Sequence, residues 1–248
     1  MATEIILYDI PSTLPGKAWS PSTWKTRYSL NYKGIPYKTV WTEYPDIELV
    51  SRVLGAPPSR KKPDGRPHYT LPMIHDPSTG VFISDSTKIA EYLDKTFPET
   101  PRLMPPGTVG FHRAFVDEAT ASLGPLFLYG LPASHAYLNP ASQTYFRRTR
   151  EESFGKTLEA MVPTGEDHIV AWQRLKDGLG KMDGWIRANG DDSRYIMGDT
   201  LCFADIWMAS FVIWIRLVMP ERWEEVKIWH GSRWGKLLES LEAFESVH

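Results

Sequence analysis

Every strand-length run in this 248-residue chain lies before residue 86, and that asymmetry narrows the folds open to it. EIILYDI (4–10) is a short Ile-rich run of the kind that forms a buried strand, and Pro11, Pro15 and Gly16 break it. AWSPSTWKTRYSLNYKG (18–34) follows, helix-like to Lys33, with Gly34 placed to cap its end. YKTVWTEY (37–44) is β-branched and aromatic and reads as a second strand; DIELVSRVL (46–54) reads as a short helix. GAPPSRKKPDGRPHY (55–69) has the composition of a loop. LPMIHDPSTGVFISD (71–85) reads as two strands around a Pro-Ser-Thr-Gly turn. STKIAEYLDKTF (86–97) places Ile89, Ala90, Leu93 and Phe97 at helical spacing, and Pro98 stops it. The order is β-α-β-α-β-β-α. ETPRLMPPG (99–107) is a linker, and beyond it helical patterns fill 108–129, 140–162, 166–189 and 203–218, with shorter pieces after. The reading is an α/β domain at 1–98, a linker at 99–107 and an all-α domain at 108–248.

Bulk properties exclude several classes. A formal charge of −2 gives no overall basic field for nucleic acid or an anionic membrane. The most apolar run, WMASFVIWI (207–215), is too short to span a bilayer and is expected to form a buried core helix. The start MATEIILYDIP carries Glu4 and lacks a basic flank before its apolar run, so it does not read as a signal peptide. The single cysteine rules out an internal disulfide, and the seven histidines show no metal-ligand spacing. A soluble, cytoplasmic protein without a metal is the expectation.

One stretch carries chemistry. From Ile10 to Thr42 there is no acid, yet Lys17, Lys25, Arg27, Lys33 and Lys38 are all present. Ser20, Ser22 and Thr23 stand at the start of the helix inside this run. Hydroxyls, free backbone N–H groups and positive charge together favour a bound anion at a helix N-terminus. A plainer reading, Ser20 as an N-cap with Pro21 at the first helical position, fits the same residues.

Four separated motifs resemble a cytosolic glutathione transferase. SPSTWKTRYSLNYKG (20–34) matches the family's first helix, TLPMIHD (70–76) its cis-proline strand, SDSTKIAEYLD (84–94) the start of its third helix, and GDTLCFADIWMA (198–209) the signature opening a core helix of its second domain. The Trp-Lys-Thr-Arg form of the first motif and the long loop before Pro72 are most similar to the fungal FuA-type class, related to bacterial lignin β-aryl etherases. The resemblance implies a thioredoxin-like N-terminal domain, a helical C-terminal domain, glutathione as co-substrate and a homodimer.

It also implies roles. Glutathione must be a thiolate to attack an electrophile, and a thiol with pKa about 8.5 needs a hydroxyl donor or positive neighbour to become one at neutral pH. Ser20 is the expected donor, with Ser22 and Thr23 as alternatives, because the aromatic residue the family often has after Ser-Pro is absent here. Leu71 and Pro72 are expected to meet the cysteinyl backbone; Asp85 and Ser86 are expected to hold the γ-glutamyl end. The basic knot Arg60–Lys62 could attract the glycyl carboxylate or be a solvated loop face. Trp19, Trp24, Tyr28, Phe111, Phe115 and Trp214 are candidates for an aromatic acceptor pocket, against the alternative that helical aromatics build the core. Cys202 stands where the core-helix signature usually has Ser or Thr; it is expected to be buried and, as a weak acceptor, to weaken half of the capping box with Asp205. The function implied is a glutathione transferase for aromatic electrophiles, β-aryl ethers included. The alternative is a ligandin-like carrier of phenolic compounds.

Overall fold

A near-continuous apolar run, buried on both faces, puts β1 (Ile5–Asp9) at the centre of the N-terminal unit, with β2 (Tyr37–Trp41) parallel to it on one side. In the computed structural model, which describes residues 4–248, the sheet order is β2-β1-β5-β6, with β5 at Met73–Asp76 and β6 at Val81–Ser84. Residues 1–3, part of the chain start read as lacking a leader, lie outside the described residues. β5 runs antiparallel to β1 and β6 antiparallel to β5, the hairpin expected around the Pro-Ser-Thr-Gly turn. The stretch expected as a loop at 55–69 contains a hairpin of its own, β3 (Arg60–Lys61) against β4 (Pro67–His68).

Helix α1 (Pro21–Lys33) begins at the Ser20 N-cap and ends at Gly34, whose φ of 65° is the left-handed conformation that a residue without Cβ adopts at no steric cost. α1 is buried on almost every side, between the sheet and the helical domain. Its polar side chains therefore need internal partners. Arg27 finds Asp9 at 2.7 Å, and Lys33 finds Asp94 at 2.8 Å. The short α2 (Ile47–Val53) and the amphipathic α3 (Ser86–Thr96) complete the unit. Asp94 on α3 also accepts the Leu103 and Met104 amides, which pins the segment leading into the helical domain.

The expected helix at 108–129 is two helices. α4 (Val109–Ser122) stops at Leu123, and α5 (Gly124–His135) restarts with Pro125 in its first turn, where a missing N–H costs nothing. α6 (Pro140–Phe154), the four-residue α7 (Leu158–Met161) and the long α8 (Gly165–Arg187) follow. α9 (Phe203–Val218) is the core helix anticipated from the 207–215 run, apolar on nearly all faces and packed against α1 and its neighbours. α10 (Pro220–Val226) and α11 (Trp229–Leu241) close the domain, and α11 is interrupted at His230, Gly231 and Ser232. The chain then returns to the first unit: the carbonyls of Phe244 and Ser246 accept from Asn31, and that of His248 accepts the Thr39 amide. Glu43 adds a second tie, accepting from Asn139 at 2.7 Å and from the Ser142 hydroxyl.

Candidate active site

The acid-free run does not produce the field its composition promised. Arg27 and Asp9 are both fully buried and paired, and Arg27 also donates to Tyr37 and Thr39. Lys33 is committed to Asp94 and the Pro101 carbonyl. Lys17 and Lys38 are exposed. Lys25 is different. Its ammonium lies 5.2 Å from the centre of the Trp207 ring and 4.9 Å from that of Phe211, across the junction of α1 and α9. Burial pushes its pKa down to about 8, against the pull of the Asp85 carboxylate.

At the helix start, the Ser20 hydroxyl oxygen accepts the Ser22 amide at 3.3 Å, with backbone φ −69° and ψ 128°. The oxygen is thus fixed over the first turn while its own proton has no acceptor among the described residues. Thr23 differs: it is fully buried and donates its hydroxyl to the Ser20 carbonyl at 3.2 Å. Ser22 is half-buried, and its hydroxyl makes no hydrogen bond among the described residues. Two hydroxyls with an uncommitted proton, Ser20 and Ser22, therefore stand where the sequence offered three.

The Leu71–Pro72 peptide is cis, just ahead of β5. Neither the N–H nor the C=O of Leu71 is paired among the described residues. Pro72 C=O accepts the Asp85 amide at 3.4 Å, which links this corner to the start of α3.

Asp85 holds a φ of 87°, in the left-handed half of conformational space that non-glycine residues avoid. Its Oδ1 accepts the amides of Thr87 (2.9 Å) and Lys88 (3.1 Å) as an N-cap. Capping by one oxygen leaves Oδ2 uncommitted, and the Ser86 amide and hydroxyl likewise have no partner among the described residues. A residue kept in a costly conformation next to unpaired donors and an unpaired carboxylate oxygen makes this corner a candidate binding site. The helix start favours an anion there, and Asp85 a cation beside it.

The aromatic candidates separate. Trp19, Trp24, Tyr28 and Trp214 are buried in packed core: Trp24 lies tilted against Tyr28 at 4.9 Å, and Trp214 donates its indole N–H to Ser134 at 2.9 Å. Phe111 points outward from α4, 77% exposed. Neither location makes a pocket wall, because a wall must be reachable and yet enclosed. Phe115 is half-buried and meets Trp207 edge-on at 5.9 Å. Trp207 in turn meets Phe211 at 4.4 Å and Phe211 meets Phe127 at 6.0 Å; none of the three was singled out from the sequence, since the apolar run at 207–215 reads as core on all faces. A cavity of about 570 Å³ lies apart from these groups, among α5, α7 and the turn from α9 to α10, lined by Tyr129, Tyr137, Leu158, Val218 and Arg222 among others.

In the basic knot, Arg60 Nε donates to His68 Nδ1 at 3.1 Å, while Lys61 is exposed on the β3–β4 hairpin. Cys202 is fully buried; its thiol donates to Asp205 at 3.1 Å, and the same carboxylate accepts the Cys202 amide at 3.0 Å. Burial and the neighbouring carboxylate push the thiol far up, which makes it inert as a nucleophile.

Comparison with known proteins bears on the family and the fold. The family models "Glutathione S-transferase, N-terminal domain" and "Glutathione S-transferase, C-terminal domain" match residues 19–96 and 110–244. The glutathione S-transferase-like protein ustS of Aspergillus flavus is 34% identical over 252 residues, spanning 91% of this chain and 88% of the relative. Among solved structures, the glutathione S-transferase CsGST63524 of Ceriporiopsis subvermispora, in complex with glutathione, superposes with a TM-score of 0.95 at 47% identity, covering 99% of both chains. Glutathione transferase GSTFuA3 from Phanerochaete chrysosporium superposes at 0.94 and 44% identity over 100% of both.

Proposed function

The chain belongs to the glutathione S-transferase family, and we propose that it activates the glutathione thiol through the Ser20 hydroxyl for attack on aromatic electrophiles. The observation that carries this reading is the Ser20 side chain, fixed by the Ser22 amide with its proton uncommitted at a helix N-terminus. A thiolate accepting that proton in a hydrogen bond gains a charge-assisted contact, and the helix start adds favourable field. Each pKa unit removed from the thiol is worth about 1.36 kcal/mol.

The unpaired Leu71 amide and carbonyl would take the cysteinyl backbone of glutathione in strand-like pairing. The Ser86 amide and hydroxyl would hold the γ-glutamyl carboxylate, and Asp85 Oδ2 its ammonium. With a β-aryl ether, the thiolate would form a C–S bond at the carbon bearing the aryloxy group. The C–O bond would break, and the aryloxide would leave with the electron pair and take up a proton. A homodimer in the cytoplasm is the setting this reading expects.

The cavity of about 570 Å³ away from Ser20 favours a second reading, carriage of phenolic ligands in the helical domain. Turnover of a β-aryl ether model compound with and without glutathione separates the two. Glutathione-dependent phenol release is the expected result. Stoichiometric binding without turnover would favour carriage.

A further inference from the structure

Of the three cations on α1, Arg27 and Lys33 are each paired with a buried carboxylate, whereas the Lys25 ammonium makes no hydrogen bond or ion pair among the described residues. It rests instead on the faces of Trp207 and Phe211 at 5.2 and 4.9 Å. Ring faces attract a cation but give its three N–H groups no acceptor. Beside it, the buried indole N–H of Trp207 is also without a partner. The half-buried Phe115 and Phe127 meet these same two rings edge-on at 5.9 and 6.0 Å, so the cluster continues from the cation to the surface as an aromatic face. Lys25 stands little more than one helical turn after the Ser20 N-cap, so this cation shares the helix whose start is the proposed thiol site.

We propose that Lys25, held over Trp207 and Phe211, selects the acceptor: it receives the carboxylate of an anionic aromatic compound whose ring packs against Phe115 and Phe127. This deepens the transferase reading and rests on it. A cation without a protein acceptor, on a half-buried side chain, and a neighbouring aromatic face form a site for a ligand that brings an acceptor group and a ring together. Lys25 is the position where one side chain separates anionic from neutral acceptors.

The test is binding of para-nitrobenzoate and of its neutral methyl ester, followed by tryptophan fluorescence quenching in the full chain with glutathione present. Wild type is expected to prefer the carboxylate. Lys25→Met is expected to lose about tenfold or more of carboxylate affinity, as for a hydrogen bond to a charged group, and to leave ester binding within about twofold. Lys25→Arg is expected to keep the preference. An unchanged carboxylate-to-ester ratio in Lys25→Met overturns the proposal. So does an effect confined to the glutathione KM, which would put Lys25 on the tripeptide. Glutathione-dependent turnover of a neutral chloronitrobenzene reads the transferase function separately. Its absence with carboxylate selectivity intact would fault the transferase reading and, with it, the selection of an acceptor, leaving Lys25 as a carboxylate-binding residue only.

Discussion

Asp9→Asn separates the charges that hold α1 in place from those that serve chemistry. In the folded chain, Asp9 Oδ2 receives Arg27 Nη2 at 2.7 Å with both side chains fully buried, and Oδ1 receives the Ile10 amide at 2.6 Å. Asparagine keeps the shape and an oxygen for the Ile10 amide, but it leaves the guanidinium buried without a countercharge. Removing one partner of a buried pair costs about 3–5 kcal/mol. Arg27 Nη1 would retain Tyr37 (3.0 Å) and Thr39 (3.2 Å), and the rings of Trp24, Tyr37 and Trp41 lie 5.6 to 5.8 Å from the guanidinium. Those contacts place the cost near the lower end, about 3 kcal/mol. At about 2–4 °C per kcal/mol for a chain of this size, Tm should fall by roughly 6–12 °C. Calorimetry at fixed protein concentration measures it. The double variant Asp9→Leu with Arg27→Met should recover most of the loss, since an apolar pair of similar volume replaces a buried ion pair without an orphan charge. A loss below about 1 kcal/mol in Asp9→Asn would overturn this expectation, because it would mean the guanidinium reaches water when its partner is gone.

Asp85→Asn should raise the glutathione KM by about tenfold or more with a smaller change in kcat, as expected when a hydrogen bond to a charged ligand group is lost in ground and transition state alike; a matched loss in kcat alone would contradict the assigned contact. Asp205 is raised to about 6 from an ordinary 3.8, first by burial, against the pull of the Ile196 and Cys202 amides. A raised carboxylate means the folded state holds its proton more tightly, so the stability this proton contributes is fully present below pH 3.8 and declines as pH rises through 6. Relative to Asp205→Asn, wild type should therefore lose on the order of 3 kcal/mol across that window, at about 1.36 kcal/mol for each pH unit crossed, in denaturant titrations at stepped pH. Parallel curves for the two chains would contradict it.

Much of the fold was legible because it rests on local periodicity. The Ile-rich run at 4–10, the Ser-Pro start and Gly34 end of α1, the hairpin at 71–85 and the all-apolar α9 follow from spacing and caps within a few residues. Features set by distant or very short pairings were not legible. The countercharges of Arg27 and Lys33 lie 18 and 61 residues away in sequence, so the acid-free run looked electropositive when two of its cations are neutralised. The β3–β4 hairpin has two-residue strands inside a Pro- and Gly-rich segment, too short to show alternation. Pro125 hid a helix start inside what reads as one helix, and α5 runs on through Pro132. In the candidate site, the hydroxyl cluster and the α3 start were visible as motifs. The discrimination of Thr23 from Ser20 and Ser22 was not, because it depends on which hydroxyl the first turn consumes. Trp207 and Phe211 were hidden by a helix whose apolar residues leave no polar face to mark the side turned to Lys25.

Whether the Ser20 hydroxyl holds glutathione as a thiolate is decided by ultraviolet titration of the bound thiol in Ser20→Ala, Ser22→Ala and Thr23→Ala. Ser20→Ala is predicted to raise the bound thiol's pKa by about one unit or more, the loss of one charge-assisted hydrogen bond, with a smaller rise in Ser22→Ala and none in Thr23→Ala. A silent Ser20→Ala beside a raised pKa in Ser22→Ala or Thr23→Ala would contradict the assignment and move the activating hydroxyl along the first turn.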